Sequence, residues 1–265
     1  MIAATVAVAV LLGVPYLVAA ARLRGRGDPW PRRRDAAFTA GAVVLVASVA
    51  GTAAHDATVT GRPFTHHMAG HLGTAMAAPL LFAAGRPVTL ALRALPPGPP
   101  RRTLVALARS RPVALLLHPP VAAVLDVGGL WLLYRTPLLA RTHHTPSLDA
   151  VVHLHLLLAG CLFTFAVLAR EPVRHRPATL TRALILLAAS AAHAVLAKSL
   201  YAHGPPGTAY TAADLHAAAQ LMYYGGDAVE LALALLIGHQ WYRAEGRRRT
   251  PGRRLGAAGP VIRAR

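Results

Sequence analysis

Residues 64–85 read FTHHMAGHLGTAMAAPLLFAAG. From His66 to Gly85 no Asp, Glu, Lys or Arg interrupts the run. A helix of about 20 residues, rising about 1.5 Å per residue, spans the roughly 30 Å of hydrocarbon in a bilayer. Yet His66, His67, Met68 and His71 crowd the start of this helix. Polar side chains placed where a chain enters hydrocarbon are costly unless something binds them. His67 and His71 are four residues apart, on one face of a helix and close enough to share a ligand, whereas His66 points about 100° away from His67.

The rest of the 265-residue chain repeats the apolar pattern. It is 55% hydrophobic and 14% charged, too apolar for an ordinary soluble domain. Runs of spanning length lie near 1–21, 36–54, 66–85, 113–134, 150–169, 183–203 and 215–238, joined by short segments rich in Arg, Pro and Gly. The expectation is an all-α, polytopic membrane protein with seven transmembrane helices in one domain over 1–240, followed by a basic, disordered cytoplasmic tail over 241–265.

Of the 28 Lys and Arg residues, 24 fall in 22–35, 86–112, 170–182 and 239–265, which share one side when the spans alternate. Arg62, Arg135 and Arg141 take the other side, and Lys198 lies within the sixth span. This is the positive-inside pattern, and it puts the N-terminus outside and the C-terminus in the cytoplasm. It also accounts for the net charge of +18 without nucleic acid as a partner. The partner that the composition requires is the lipid bilayer. Heavy use of Ala, Arg, Gly and Pro fits a high-GC bacterium and hence a multi-pass protein of its plasma membrane. The first span lacks a basic segment before it and reads as an uncleaved anchor rather than a signal peptide. The single cysteine, Cys161, excludes an intramolecular disulfide and a Cys-rich metal site. The stretch 86–112, in which apolar residues alternate with Arg, is expected to hold a short helix lying on the membrane surface.

In this orientation most of the 14 histidines gather at the outer face: His55, His66, His67, His71, His143, His144, His153, His155, His203 and His216. Outside the cytoplasm, neutral imidazoles with thioether support from Met68 suit copper, as Cu(II) on nitrogen or Cu(I) on mixed nitrogen and sulfur, and zinc is a second candidate. His153 and His155 stand about 200° apart around a helix, so one of the two is expected to face the centre that His67 and His71 face. The competing reading is hydration at the headgroup level, and it is preferred for the loop residues His143 and His144 beside Arg141. His67-Met68-Ala69-Gly70-His71 lacks the Glu that an H-E-x-x-H metalloprotease uses as its general base. With no nucleophile, triad or phosphate loop in the chain, no enzyme is expected.

Asp126, His193, Asp227 and Glu230 fall at comparable depth within the fourth, sixth and seventh spans, with Lys198 nearer the outside. Intramembrane ionisable groups usually face the bundle interior in pairs. They form either an ion path or, the preferred reading, a packing pair in which an acidic residue of the last span meets His193 or Lys198. Gly128-Gly129 and Gly225-Gly226 read as positions of close helix approach, and His118-Pro119-Pro120 as a kink in the fourth span.

Three stretches carry a resemblance: HHMAGHLGTAMAAPLLFAAGRPVTLALRALP (66–96), DAVVHLHLLLAGCLF (149–163) and ADLHAAAQLMYYGGDAVELALAL (213–235). In order and spacing the chain resembles the CtaG-type cytochrome c oxidase assembly proteins, the Caa3/CtaG membrane family. The resemblance implies a membrane protein that helps haem-copper oxidases mature, by delivering copper or by holding a subunit during metallation. Cytochrome c oxidase subunits or other copper chaperones would be its partners. His67, Met68 and His71 match the first motif, His155 the second and Asp214 the third. Leu215 stands where the family usually has Gln, and His216 follows it. The candidate metal set is therefore His67, His71, Met68, His155, His153 and His216, with copper as the metal. Two rivals remain open: a copper transporter that takes up metal at the outer histidines and passes it along Asp126, His193 and Asp227, and an electron-transfer protein with haem between paired histidines.

Overall fold

The computed structural model describes residues 2–57, 62–172 and 177–249. His175, residues 250–265 and the side chain of His55 lie outside the described residues. Every regular element within them is helical. Helices α1 (Ile2–Gly25) and α2 (Arg32–Ala57) pack as a hairpin. Its turn, at the arginine-rich end, is held by an Arg24–Asp35 ion pair at 2.6 Å and by the Trp30 indole N–H donating to Asp35 at 3.0 Å.

The histidine-bearing stretch is one unbroken helical rod: α3 (Pro63–His71), a π-helical turn (Leu72–Ala77) and α4 (Ala78–Gly85). At Arg86 the backbone turns left-handed, with φ of 54°, and the chain bends directly into α5 (Pro87–Ala94). The Tyr16 hydroxyl of α1 donates to the Gly85 carbonyl at 2.7 Å, fixing this corner. The 86–112 stretch thus contains α5 and a second short helix, α6 (Pro99–Ala108), and α7 (Arg111–Leu116) follows.

Six helices among the described residues are long and apolar enough to cross a bilayer: Thr5–Gly25, Arg32–Gly51, Pro63–Ala94, Pro146–Leu168, Thr179–Ala202 and Ala212–Arg247. The expected span at 113–134 is not one of them. His118-Pro119-Pro120 separates α7 from α8 (Pro119–Ala123), which continues through a second π-helical turn (Val124–Gly128) into α9 (Gly129–Arg135). Two consecutive prolines remove two backbone donors, so the break is sharper than a kink. What remains, Pro119–Arg135, is about 25 Å long at about 1.5 Å per residue, a few ångströms less than the roughly 30 Å of hydrocarbon. After α10 (Leu138–Thr142) the chain forms α11 (Pro146–Leu168), α12 (Thr179–Ala202) and α13 (Ala212–Arg249), so α13 continues past the expected domain edge at 240.

Three apolar clusters hold the bundle together. One joins α1, α2, α4 and α5 through Tyr16, Phe38, Phe82 and Leu90. A second, toward the arginine-rich end, joins α11, α12 and α13 through Phe163, Leu186 and Leu233. The third surrounds the start of α3 with Phe64, Met68, Tyr134, Leu200 and Met222. Buried Arg182 donates to the carbonyls of Val167 at 2.9 Å and Leu168 at 3.1 Å, satisfying acceptors that the end of α11 leaves free. Gly160 of α11 lies against the Ala75 carbonyl of the first π-helical turn, so tightly that a Cβ there has no room.

Candidate functional site

The start of α3 is held by a residue far along the chain. Arg62 provides no side-chain cap and Pro63 has no N–H, so the first free donors are those of Phe64 and Thr65. Both donate to the Asp214 carboxylate of α13, at 2.8 and 2.9 Å, and the Thr65 hydroxyl donates to it at 2.6 Å. A carboxylate at a helix N-terminus meets both the orphan donors and the positive end of the dipole. The arrangement recurs at α5, where Glu171 accepts from the Val88 N–H at 3.2 Å, the Thr89 N–H at 2.8 Å and the Thr89 hydroxyl. The capped sequences match as well: Arg62-Pro63-Phe64-Thr65 and Arg86-Pro87-Val88-Thr89. Burial pushes the Glu171 carboxyl above its ordinary value, against the pull of its bonds to Thr89 and Val88 and of the Arg86 charge.

Held in this way, α3 gives His67 and His71 different surroundings. His67 is half-buried, with Nε2 3.1 Å from the hydroxyl of the fully buried Tyr134. The Tyr134 ring stands edge-on to both imidazoles, at centroid distances of 5.9 and 6.1 Å. His71 is only 3% exposed, and neither of its ring nitrogens has a hydrogen-bond partner. Its ring centre lies 6.4 Å from that of His193 in α12, which is equally buried. His193 Nδ1 is 3.5 Å from a Glu230 carboxylate oxygen, while its Nε2 is unpartnered. Gly226 leaves space for this ring, since a Cβ there would collide with it. His71, His193, Asp126, Thr164 and Glu230 share a small cavity of about 20 Å³. Buried polar atoms in folded proteins almost always have a partner, so three open imidazole nitrogens around one cavity are an exception.

A family model described as cytochrome c oxidase caa3 assembly factor (Caa3_CtaG) matches residues 14–244. The chain belongs to that family. It is also 36% identical over 199 residues to an uncharacterized protein of Mycobacterium leprae (strain TN), an overlap of 71% of this chain and 29% of that protein. Uncharacterized proteins of Mycobacterium bovis (strain ATCC BAA-935 / AF2122/97) and Mycobacterium tuberculosis (strain CDC 1551 / Oshkosh) are each 36% identical over 176 residues, 63% of this chain and 26% of theirs. The chain thus spans less than a third of the length of these curated relatives. No solved structure matches it.

The Caa3_CtaG match takes in every candidate ligand, but the structure separates them. Met68 is fully buried in the apolar cluster at the start of α3. His153 bonds through Nδ1 to the Asp149 carbonyl at 3.0 Å and lines an open cleft of about 220 Å³ with Thr74, between α1, α2 and α11. His155 faces away and is exposed, its Nε2 3.1 Å from the Leu125 carbonyl in the second π-helical turn. Such a turn breaks the regular bonding ladder, and the imidazole takes up a carbonyl there. Of the two α11 histidines it is therefore His153 that shares the side of the α3 pair. His216 is elsewhere again, stacked on Tyr201 at 4.0 Å. Among the described residues no three His, Cys, Asp or Glu side chains form a group able to hold a metal ion.

Glu230 is the acid of α13 that approaches His193, as the pairing reading expects, while Asp227 is exposed and Lys198 Nζ sits 5.3 Å from the Tyr223 ring centre. Tyr134 was not foreseen, and no sequence signal singles it out. The His71–His193 approach was also missed, because His193 falls among the buried acids rather than with the outer histidines.

Proposed function

We propose that this Caa3_CtaG protein assists the maturation of a haem-copper oxidase in the bacterial plasma membrane by binding copper on α3, acting by binding rather than catalysis. The observation that carries this reading is His71: an imidazole with both nitrogens buried and unpartnered, one turn below His67. Neutral imidazoles suit copper, and the donors here fit it. His67 and His71 would hold the metal, with His153 of α11 as the further imidazole and Met68 packed in the apolar cluster beside them. His155 and His216 serve packing in this account. The histidine end faces outward, the C-terminus lies in the cytoplasm, and the shortened α8–α9 run makes a seventh crossing. The partners are oxidase subunits or another copper chaperone.

The reading is tested in a strain lacking the protein by scoring oxidase activity at limiting copper. Wild-type chain is expected to restore activity and His71→Ala to restore little of it. Full restoration by a folded His71→Ala protein would contradict copper binding on α3.

A further inference from the structure

We propose a second metal position, one layer deeper in the bundle: a seat for a single Cu(I) ion between His71 and His193. This rests on the copper reading above, and His71 belongs to both positions. His71 and His193 are each 3% exposed and have three unpartnered nitrogens between them. Two imidazoles bound to opposite sides of one cation, with metal–nitrogen distances of about 2 Å, have ring centres roughly 6 Å apart. The observed separation is 6.4 Å.

Glu230 supplies what ligating histidines generally have, a carboxylate on the other ring nitrogen that fixes the tautomer and turns the free lone pair toward the metal. Its oxygen lies 3.5 Å from His193 Nδ1 and leaves Nε2 open. The cavity of about 20 Å³ admits a bare ion or one water but not a hydrated cation. Magnesium and calcium, which keep waters or need six or more oxygens, do not fit. Two imidazole nitrogens facing one small cavity suit two-coordinate ligation of a soft monovalent ion. The carboxylates of Asp126 and Glu230 line the same cavity and offset the charge of a cation held out of water. Gly226 belongs to the seat, because any side chain there would displace the His193 ring. Copper taken by His67 and His71 has its next position one step inward, with His71 as the shared ligand.

The test is anaerobic Cu(I) titration of the purified full chain in mild detergent against a chromogenic Cu(I) chelator, with circular dichroism confirming the fold of each variant. His193→Ala is expected to weaken binding at the inner seat roughly 100-fold or more, leaving the outer His67–His71 position, and Glu230→Gln, which removes only the orienting charge, about tenfold. His67→Ala is expected to leave the inner seat within a fewfold of wild type. Gly226→Ala keeps all donors and is expected to weaken binding as His193→Ala does, which serves if the latter fails to fold. Wild-type affinity in folded His193→Ala and Gly226→Ala proteins, with binding lost in His67→Ala, would overturn the inner seat and leave the outer pair standing. A wild-type chain that takes up no Cu(I) would overturn both.

Discussion

Asp214 grips Thr65 twice, through its backbone N–H at 2.9 Å and its hydroxyl at 2.6 Å. The first turn of the histidine helix is thereby fastened to the start of α13, the helix that also brings Glu230 to His193. One carboxylate sets the depth of His67 and His71 relative to the groups facing them.

Replacing it has a two-sided consequence. Asp214→Ala leaves two helix-terminal donors in a buried site without an acceptor, at a cost of about 2–4 kcal/mol. Asp214→Asn, which keeps one acceptor oxygen, should lose about half of that. Thermal unfolding in detergent measures the first effect. Copper bound per folded molecule measures the second, and it should fall in Asp214→Ala although Asp214 is no ligand.

Glu171 is the control for this argument. Glu171→Ala removes the equivalent cap from α5 and should destabilise the protein by a similar amount, about 2–3 kcal/mol. Its copper stoichiometry per folded chain should stay at the wild-type value, because α5 carries no ligand. A loss of copper in Glu171→Ala matching that in Asp214→Ala would mean that general loosening, not placement of α3, governs the site.

Two substitutions on α11 separate packing from binding. Gly160→Ala drives a Cβ into the Ala75 backbone carbonyl, which cannot swing aside as a side chain would, so about 1–3 kcal/mol of stability should be lost. His155→Ala gives up one hydrogen bond to Leu125 and should cost about 1 kcal/mol with copper affinity unchanged. Copper loss in His155→Ala equal to that in His71→Ala would return His155 to the ligand set.

Hydropathy exposed six of the crossing helices because span length and apolarity are local properties of the chain. At 113–134 overall apolarity concealed that His118-Pro119-Pro120 divides the run, so no single helix there reaches the length of the other six. That His67 and His71 share one face of α3 was legible from their four-residue spacing, and both meet the Tyr134 ring; the opposed directions of His153 and His155 on α11 were legible from theirs. Where each of them ends up is a tertiary fact: His155 meets the Leu125 carbonyl in the second π-helical turn, and no local pattern announces such a turn. The repeated Arg-Pro-apolar-Thr was present to be read, but its partners Asp214 and Glu171 lie 150 and 83 positions from Phe64 and Val88. The His71–His193 approach is likewise a tertiary fact, made possible by the missing side chain at Gly226.

Orientation underlies the whole assignment. A reporter fused to the C-terminus should be active in the cytoplasm, and one inserted between Gly204 and Tyr210 should be active only outside. The opposite pattern would place the histidine end in the cytoplasm and contradict the proposed orientation.

The most direct measurement is copper per folded chain for the wild type and His71→Ala, purified side by side in mild detergent and loaded under identical conditions. The account predicts bound copper in the wild type and its loss in His71→Ala, with helical content unchanged. Equal copper in the two proteins would contradict it, and would make the α3 histidines interfacial residues of a protein that assists the oxidase by scaffolding alone.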